Sequence, residues 1–197
     1  MRWHIPDNPP AQGPPPQSIF LIRHAEKPES PTDTGVDVTG APNPACLTAQ
    51  GWQRAAGLAT LFDTAGGTNC PDLAVPTRLY SPNYPHHNAN HRTYETLLPL
   101  SQRLGLTINT PCAAGQEAEL AASILATDAG VSLVCWEHSR IPDIAAHIPV
   151  LTDVVVPPMW PGDRFDVIWH FTLAAGSNAT YYFTALPELL LPGDAPA

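Results

Sequence analysis

Short apolar runs and longer amphipathic stretches take turns along this chain. Residues 18–22, 77–81, 131–136, 165–173 and 180–186 are dense in β-branched, aromatic and aliphatic side chains and are bounded by proline, glycine or polar residues, so each predicts a strand. Between them, residues 47–62 repeat apolar positions at helical spacing (Trp52, Ala55, Ala56, Ala59 and Leu61/Phe62), with Thr48 able to cap the first turn. Residues 88–106 predict a second helix, with Leu97, Leu100 and Leu104 on one face, Pro99 as a bend and Gly105 as the stop. Residues 115–130 predict a third, ending at Gly130. Residues 139–148 predict a fourth, with Pro142 tolerated in its first turn.

The order is strand, helix, strand, helix, helix, strand, helix, and then a hairpin around "AAGSNA". This predicts an α/β protein: a three-layer α/β/α sandwich whose mixed sheet is mostly parallel and closes with a C-terminal β-hairpin. Residues 18–186 form the domain. Residues 1–17 and 187–197 read as a Pro-rich arm and a Pro-rich tail, and the proline- and glycine-rich stretch 28–46 reads as a long loop. Trp136, Trp169 and Cys135 are expected in the core, and Trp160, set between prolines, at an exposed rim.

Composition narrows the function. Nine Lys+Arg against 18 Asp+Glu give a net charge of −9, which offers no footprint for nucleic acid and repels an anionic membrane. No run reaches the ~18 apolar residues of a membrane span. The first 17 residues hold no apolar h-region, so a cytoplasmic protein is expected. Cys46, Cys70 and Cys112 lie in loop-like contexts where one bridge is conceivable, but reduced thiols are the simpler expectation. His86, His87 and His91 are close enough to suggest a metal. No glutamate stands between them as zinc proteases require, so no metal site is expected. Oligomeric state is not legible.

In open α/β sheets, ligands bind beyond the carboxyl ends of the strands. Two strands here end on a histidine at that rim: "SIFLIRHAEK" delivers Arg23-His24, and "VSLVCWEHS" delivers Glu137-His138. Arg23-His24-Ala25, then Leu47-Thr48, Gly51 and Arg54-Ala55, then Ser81, Arg92 and Thr96, and finally His138 fall in one order from residue 18 to about 148. In this the chain resembles the histidine phosphatase superfamily, the phosphoglycerate mutase-like proteins.

The resemblance implies a metal-independent, cofactor-free phosphatase. Its substrate would be a phosphomonoester, phosphoanhydride or phosphoprotein, and its partner a phosphorylated small molecule or phosphopeptide. His24 would attack phosphorus as a neutral imidazole. Arg23 and Arg92 would clamp the oxygens, and His138 would donate a further hydrogen bond. The second ring nitrogen of His24 should be held by a backbone carbonyl. Glu117, at the start of the third helix, is the first candidate for the leaving-group proton donor, and Glu137 the second. His138 is followed by Ser139 in place of the aspartate of acid phosphatases. Lys27 and Glu26 are expected beside the pocket. A phosphomutase and a catalytically weak phospho-ligand binding module are the alternatives.

Overall fold

The computed structural model describes residues 14–30, 32–63, 72–84, 91–127 and 129–196. Most of the N-terminal arm, Cys70, His86 and His87 lie outside the described residues. The elements are β1 (Ser18–Arg23), α1 (Ala49–Asp63), β2 (Arg78–Tyr80), α2 (Arg92–Leu104), β3 (Ile108–Asn109), α3 (Glu117–Leu125), β4 (Val131–Trp136), α4 (Ile141–Ala145), β5 (Val167–Leu173) and β6 (Tyr181–Pro187).

The strands form one six-stranded sheet in the order β3-β2-β4-β1-β5-β6. β1, β2, β3 and β4 run parallel, whereas β5 pairs antiparallel with β1 and with β6. Successive side chains of β1 alternate between faces, as strand geometry requires. Ile19 and Leu21 pack with Leu120, Ile124, Ile144 and Trp169 on the side of α3 and α4. Phe20 and Ile22 pack with Leu58, Phe62, Leu97 and Leu100 on the side of α1 and α2. Two cores on opposite faces of one sheet make the three layers. Trp136, Trp169 and Cys135 are all buried in them.

Several boundaries differ from the sequence pattern for local reasons. α3 stops at Leu125, short of Gly130, because the Thr127 hydroxyl donates to the Ile124 carbonyl (2.6 Å) and takes up a terminal acceptor. α4 covers only the middle five residues, Ile141–Ala145, of the predicted stretch. α2 runs through Pro99 without interruption. β3, two residues on the sheet edge, has no counterpart in the pattern. Trp160 is buried, not exposed at the rim. Its indole N–H donates to the Arg164 carbonyl (3.1 Å) and its ring lies 5.1 Å from that of Trp169. Cys46, Cys112 and Cys135 are free thiols.

Both terminal segments are fastened to the domain. The Tyr181 hydroxyl donates to the Pro16 carbonyl (3.0 Å), and Leu173 N–H to the Gln17 carbonyl (3.0 Å). Residues 188–196 carry no strand or helix, as their prolines predict. They nonetheless lay Leu190 against Gly57 of α1 and bury Glu188 completely within the fold. No helix among the described residues is long and apolar enough to cross a membrane.

Candidate active site

The topology gathers the chemistry at one rim. β1 and β4 are parallel neighbours with Arg23 opposite Trp136, and the His24 amide donates to the Trp136 carbonyl (3.3 Å). His24 and, two residues beyond Trp136, His138 therefore leave adjacent strand ends on the same edge of the sheet. β2 flanks β4 on its other side, so Ser81 reaches that edge as well. The buried Ser81 hydroxyl donates to Thr93 (3.0 Å) in the first turn of α2. Thr96 of the same helix accepts a hydrogen bond from the Ala25 amide (2.9 Å). The Glu95 carboxylate accepts one from the Leu47 amide (3.0 Å). These three bonds fix the α2 N-terminus, and Arg92 with it, against the turn that follows β1.

His24 is 4% exposed. Its Nδ1 lies 2.8 Å from the Ala25 carbonyl, which can only accept, so Nδ1 carries the proton and Nε2 keeps its lone pair. Burial is the main force that pushes its pKa down to about 3. The Ala25 bond works against that, and the charges of Arg23, Arg92 and His138 add to the lowering. Three predicted site residues thus act on the fourth from within electrostatic range.

Arg23 is 2% exposed and sits in a cradle of the 162–165 loop. Its Nη1 donates to the carbonyls of Gly162 (2.6 Å) and Arg164 (3.4 Å), and its guanidinium lies 3.7 Å over the Phe165 ring. Its Nε is buried and meets no acceptor among the described residues. Arg92 is half-buried, with Nη2 donating to the Pro44 carbonyl (2.9 Å). Burial lowers the pKa of His138, and the charges of Arg23 and Lys27 lower it further, while Glu137 opposes them.

The two carboxylates weighed as proton donors separate clearly. Glu117 is buried, and its Oε1 accepts from the Gly115 amide (2.9 Å) and the Trp136 indole (3.1 Å), bonds that close the start of α3 onto β4. Glu137 accepts from the Tyr84 hydroxyl (3.1 Å), and its charge acts on His138. Tyr84 in turn acts on Arg92. Of the two, Glu137 acts on a site residue, His138, through its charge.

A cavity of about 860 Å³ adjoins the site through Phe165, and is bounded by Glu26, Lys27, Glu29, Asp163 and the C-terminal residues around Asp194. None of the five predicted site residues, Arg23, His24, Arg92, His138 and Glu117, lines it. Sequence reasoning missed the Gly162–Phe165 cradle, Tyr84 and the buried state of Arg54. Only the charged residues of "PGDRFD" hinted at the first.

No protein-family model matches the chain, and no curated protein matches it. Its fold is similar to those of several solved phosphatases. One is the protein histidine phosphatase SixA complexed with tungstate: 17% identity, TM-score 0.48, 87% of this chain and 97% of that chain. A second is a mycobacterial glucosyl-3-phosphoglycerate phosphatase: 10% identity, TM-score 0.48, 87% and 97%. A third is a phosphoserine phosphatase mutant from Entamoeba histolytica in complex with phosphoserine: 13% identity, TM-score 0.45, 85% and 94%.

Proposed function

We propose that the chain is a phosphatase that hydrolyses a phosphomonoester through phospho-His24. The observation that carries this is a neutral, tautomerically fixed imidazole under the combined influence of two guanidinium groups and a second histidine. The Nε2 lone pair attacks phosphorus and the bond from phosphorus to the leaving oxygen breaks. Arg23, Arg92 and His138 hold the equatorial oxygens while their charge spreads. Water then attacks the phosphohistidine, releases inorganic phosphate and restores the ring. Turnover of an aryl phosphate with EDTA present, followed by a screen of phosphorylated metabolites and phosphopeptides, tests the reading. Phosphate binding without turnover would favour a binding module, and transfer to a second substrate a mutase. The exposed carboxylates Glu29 and Asp163 beside the cavity favour neutral or cationic leaving groups in that screen.

Glu137 supplies the leaving-group proton in this reading. Glu137→Gln should lower kcat for alkyl phosphates about 100-fold and leave aryl phosphates, whose leaving group needs little protonation, nearly unchanged. Glu117→Gln should instead cost stability, about 1–3 kcal/mol for the disturbed buried bonds, with the alkyl-to-aryl ratio intact. Equal ratios in both variants would remove Glu137 from the chemistry.

The depressed pKa of His24 also fixes an acid limit. In the unfolded chain a histidine takes up its proton near pH 6.5, whereas folded His24 resists until about 3, and buried His170 until about 4. The unfolded state therefore binds more protons below pH 6.5. Each of these histidines removes roughly 1.4 kcal/mol of stability per pH unit until its folded pKa is reached. Denaturant midpoints should fall steadily from pH 6.5 to 4, while kcat/KM shows no loss from nucleophile protonation over that range.

A further inference from the structure

The Arg23 guanidinium is held by backbone, and that backbone is held by the C-terminal segment. Gly162 and Arg164 supply the two carbonyls that accept from Arg23, and Phe165 supplies the ring beneath it. The loop that carries all three is held by two side chains: the buried Trp160 indole on the Arg164 carbonyl (3.1 Å), and Arg164 itself. Arg164 bridges Asp166 at two points, Nε to Oδ1 (2.5 Å) and Nη2 to Oδ2 (3.1 Å). Its Nη2 also donates to the carbonyls of Ala195 (2.8 Å) and Pro196 (3.3 Å). The Ala195 amide returns a bond to Asp166 Oδ2 (2.8 Å), and the Glu188 amide donates to the Asp166 carbonyl (2.8 Å). One residue further back, Asp194 is pinned to Arg54 of α1 by two bonds of 3.0 and 2.7 Å. A continuous run of hydrogen bonds therefore leads from the C-terminal segment to the first site cation.

We propose that Arg164, clamped by residues 194–196, is a positioning residue that sets the Arg23 guanidinium for its oxyanion. The inference rests on the reading that Arg23 holds the phosphoryl oxygens. Arg164 touches no reacting atom in it. Together with the Trp160 indole on its carbonyl, it holds the loop whose two carbonyls consume one end of the Arg23 fork, so that the rest of the fork is presented in one orientation. An arginine whose fork is pre-set binds an oxyanion with less ordering at the moment of binding. The sequence distance between the parts, 139 residues from Arg23 to Gly162 and 31 from Arg164 to Ala195, explains why no local pattern shows it.

The test uses the full chain with Arg164→Ala and Arg164→Lys. The Arg164 side chain is 26% exposed, so neither variant opens the core. Tungstate is titrated calorimetrically at 25 °C, KM and kcat are measured on an aryl phosphate, and the Arg23 Nε–H resonance, assigned by its loss in Arg23→Lys, is followed by NMR. Arg164→Ala should weaken tungstate binding and raise KM about ten-fold, the effect of misplacing one charge-assisted contact. Arg164→Lys, which keeps a cation on Asp166 and loses the fork, should fall between. The Arg23 Nε–H should exchange faster with solvent in both. Unchanged tungstate affinity with an unchanged Arg23 resonance overturns the proposal, whatever happens to thermal stability. A parent chain that binds no tungstate overturns the phosphatase reading instead, and the Arg23 resonance then decides the positioning role by itself. Should Arg164→Ala fail to fold, the lysine variant carries the same comparison.

Discussion

His24→Ala is expected to lower kcat on an aryl phosphate by about a thousand-fold or more, the usual scale for loss of a covalent nucleophile. An aryl phosphate is the right substrate because its leaving group departs without help. Any residual rate then reports on the nucleophile and not on the proton donor. Tungstate affinity should stay within a few-fold, since Arg23 and Arg92 keep their backbone anchors on Gly162 and Pro44 without the imidazole. The variant carries a second signature. His24 is a buried base held well below its ordinary pKa. Its removal should therefore make the fold less sensitive to acid between pH 6.5 and 4 than the parent is. Substantial turnover by His24→Ala would mean that phosphorus is attacked by another group, and the phosphohistidine route would fall with it.

The parts of this protein that could be read from the chain are those where one local signal suffices. β1 and β4 are buried on both faces, so their residues form unbroken apolar runs whose ends are visible, and the residues that follow those ends lie at the rim by topology. That is why Arg23, His24 and His138 could be placed. Arg92 came from the resemblance, as the arginine between Ser81 and Thr96. Where a role depends on what a distant segment brings, the chain gives no sign. Glu117 and Glu137 are both acids near strand or helix ends. Only the Trp136 indole on one and the Tyr84 hydroxyl on the other distinguish Glu117 from the carboxylate proposed as the proton donor. Trp160 reads as a loop residue until its ring is found against Trp169. β3 is two residues long and owes its existence to pairing with β2. Arg54, in a helix whose pattern gives no reason to bury a cation, is the largest surprise.

Arg54→Met is expected to be the most destabilising single change outside the apolar core. The Arg54 side chain is 3% exposed, and its five N–H groups are all engaged: Nε and Nη2 on Glu26, Nη1 on Glu188, and Nη1 and Nη2 on Asp194. One cation thus holds three carboxylates, from the turn after His24 and from two points of the C-terminal segment. Without it, Glu26 and Asp194 lose their counter-charge and buried Glu188 loses its hydrogen-bond donor. Breaking a buried ion pair from one side costs about 3–5 kcal/mol, which in a chain of this length lowers Tm by roughly 6–20 °C. Glu26 is gripped twice over, because Gly51 of α1 packs on its carbonyl so closely that a Cβ would collide. Loosening Arg54 should therefore disturb the turn that orients His24 as well as the segment that anchors Arg164.

Glu188 makes the cluster testable without breaking it. Burial outweighs the Arg54 charge and pushes its pKa up to about 8, so near neutral pH it keeps its proton and the cluster holds two negative charges around one positive. Its folded pKa lies above the unfolded value. The stability it contributes is thus full below about pH 4.5 and is lost progressively as pH rises to 8. Glu188→Gln mimics the protonated acid. The variant should match the parent near pH 5 and become the more stable of the two by pH 8, in thermal or denaturant midpoints. A gap between the two that does not change with pH would show that Glu188 is ionised on Arg54 throughout, and that the cluster balances its charge in another way.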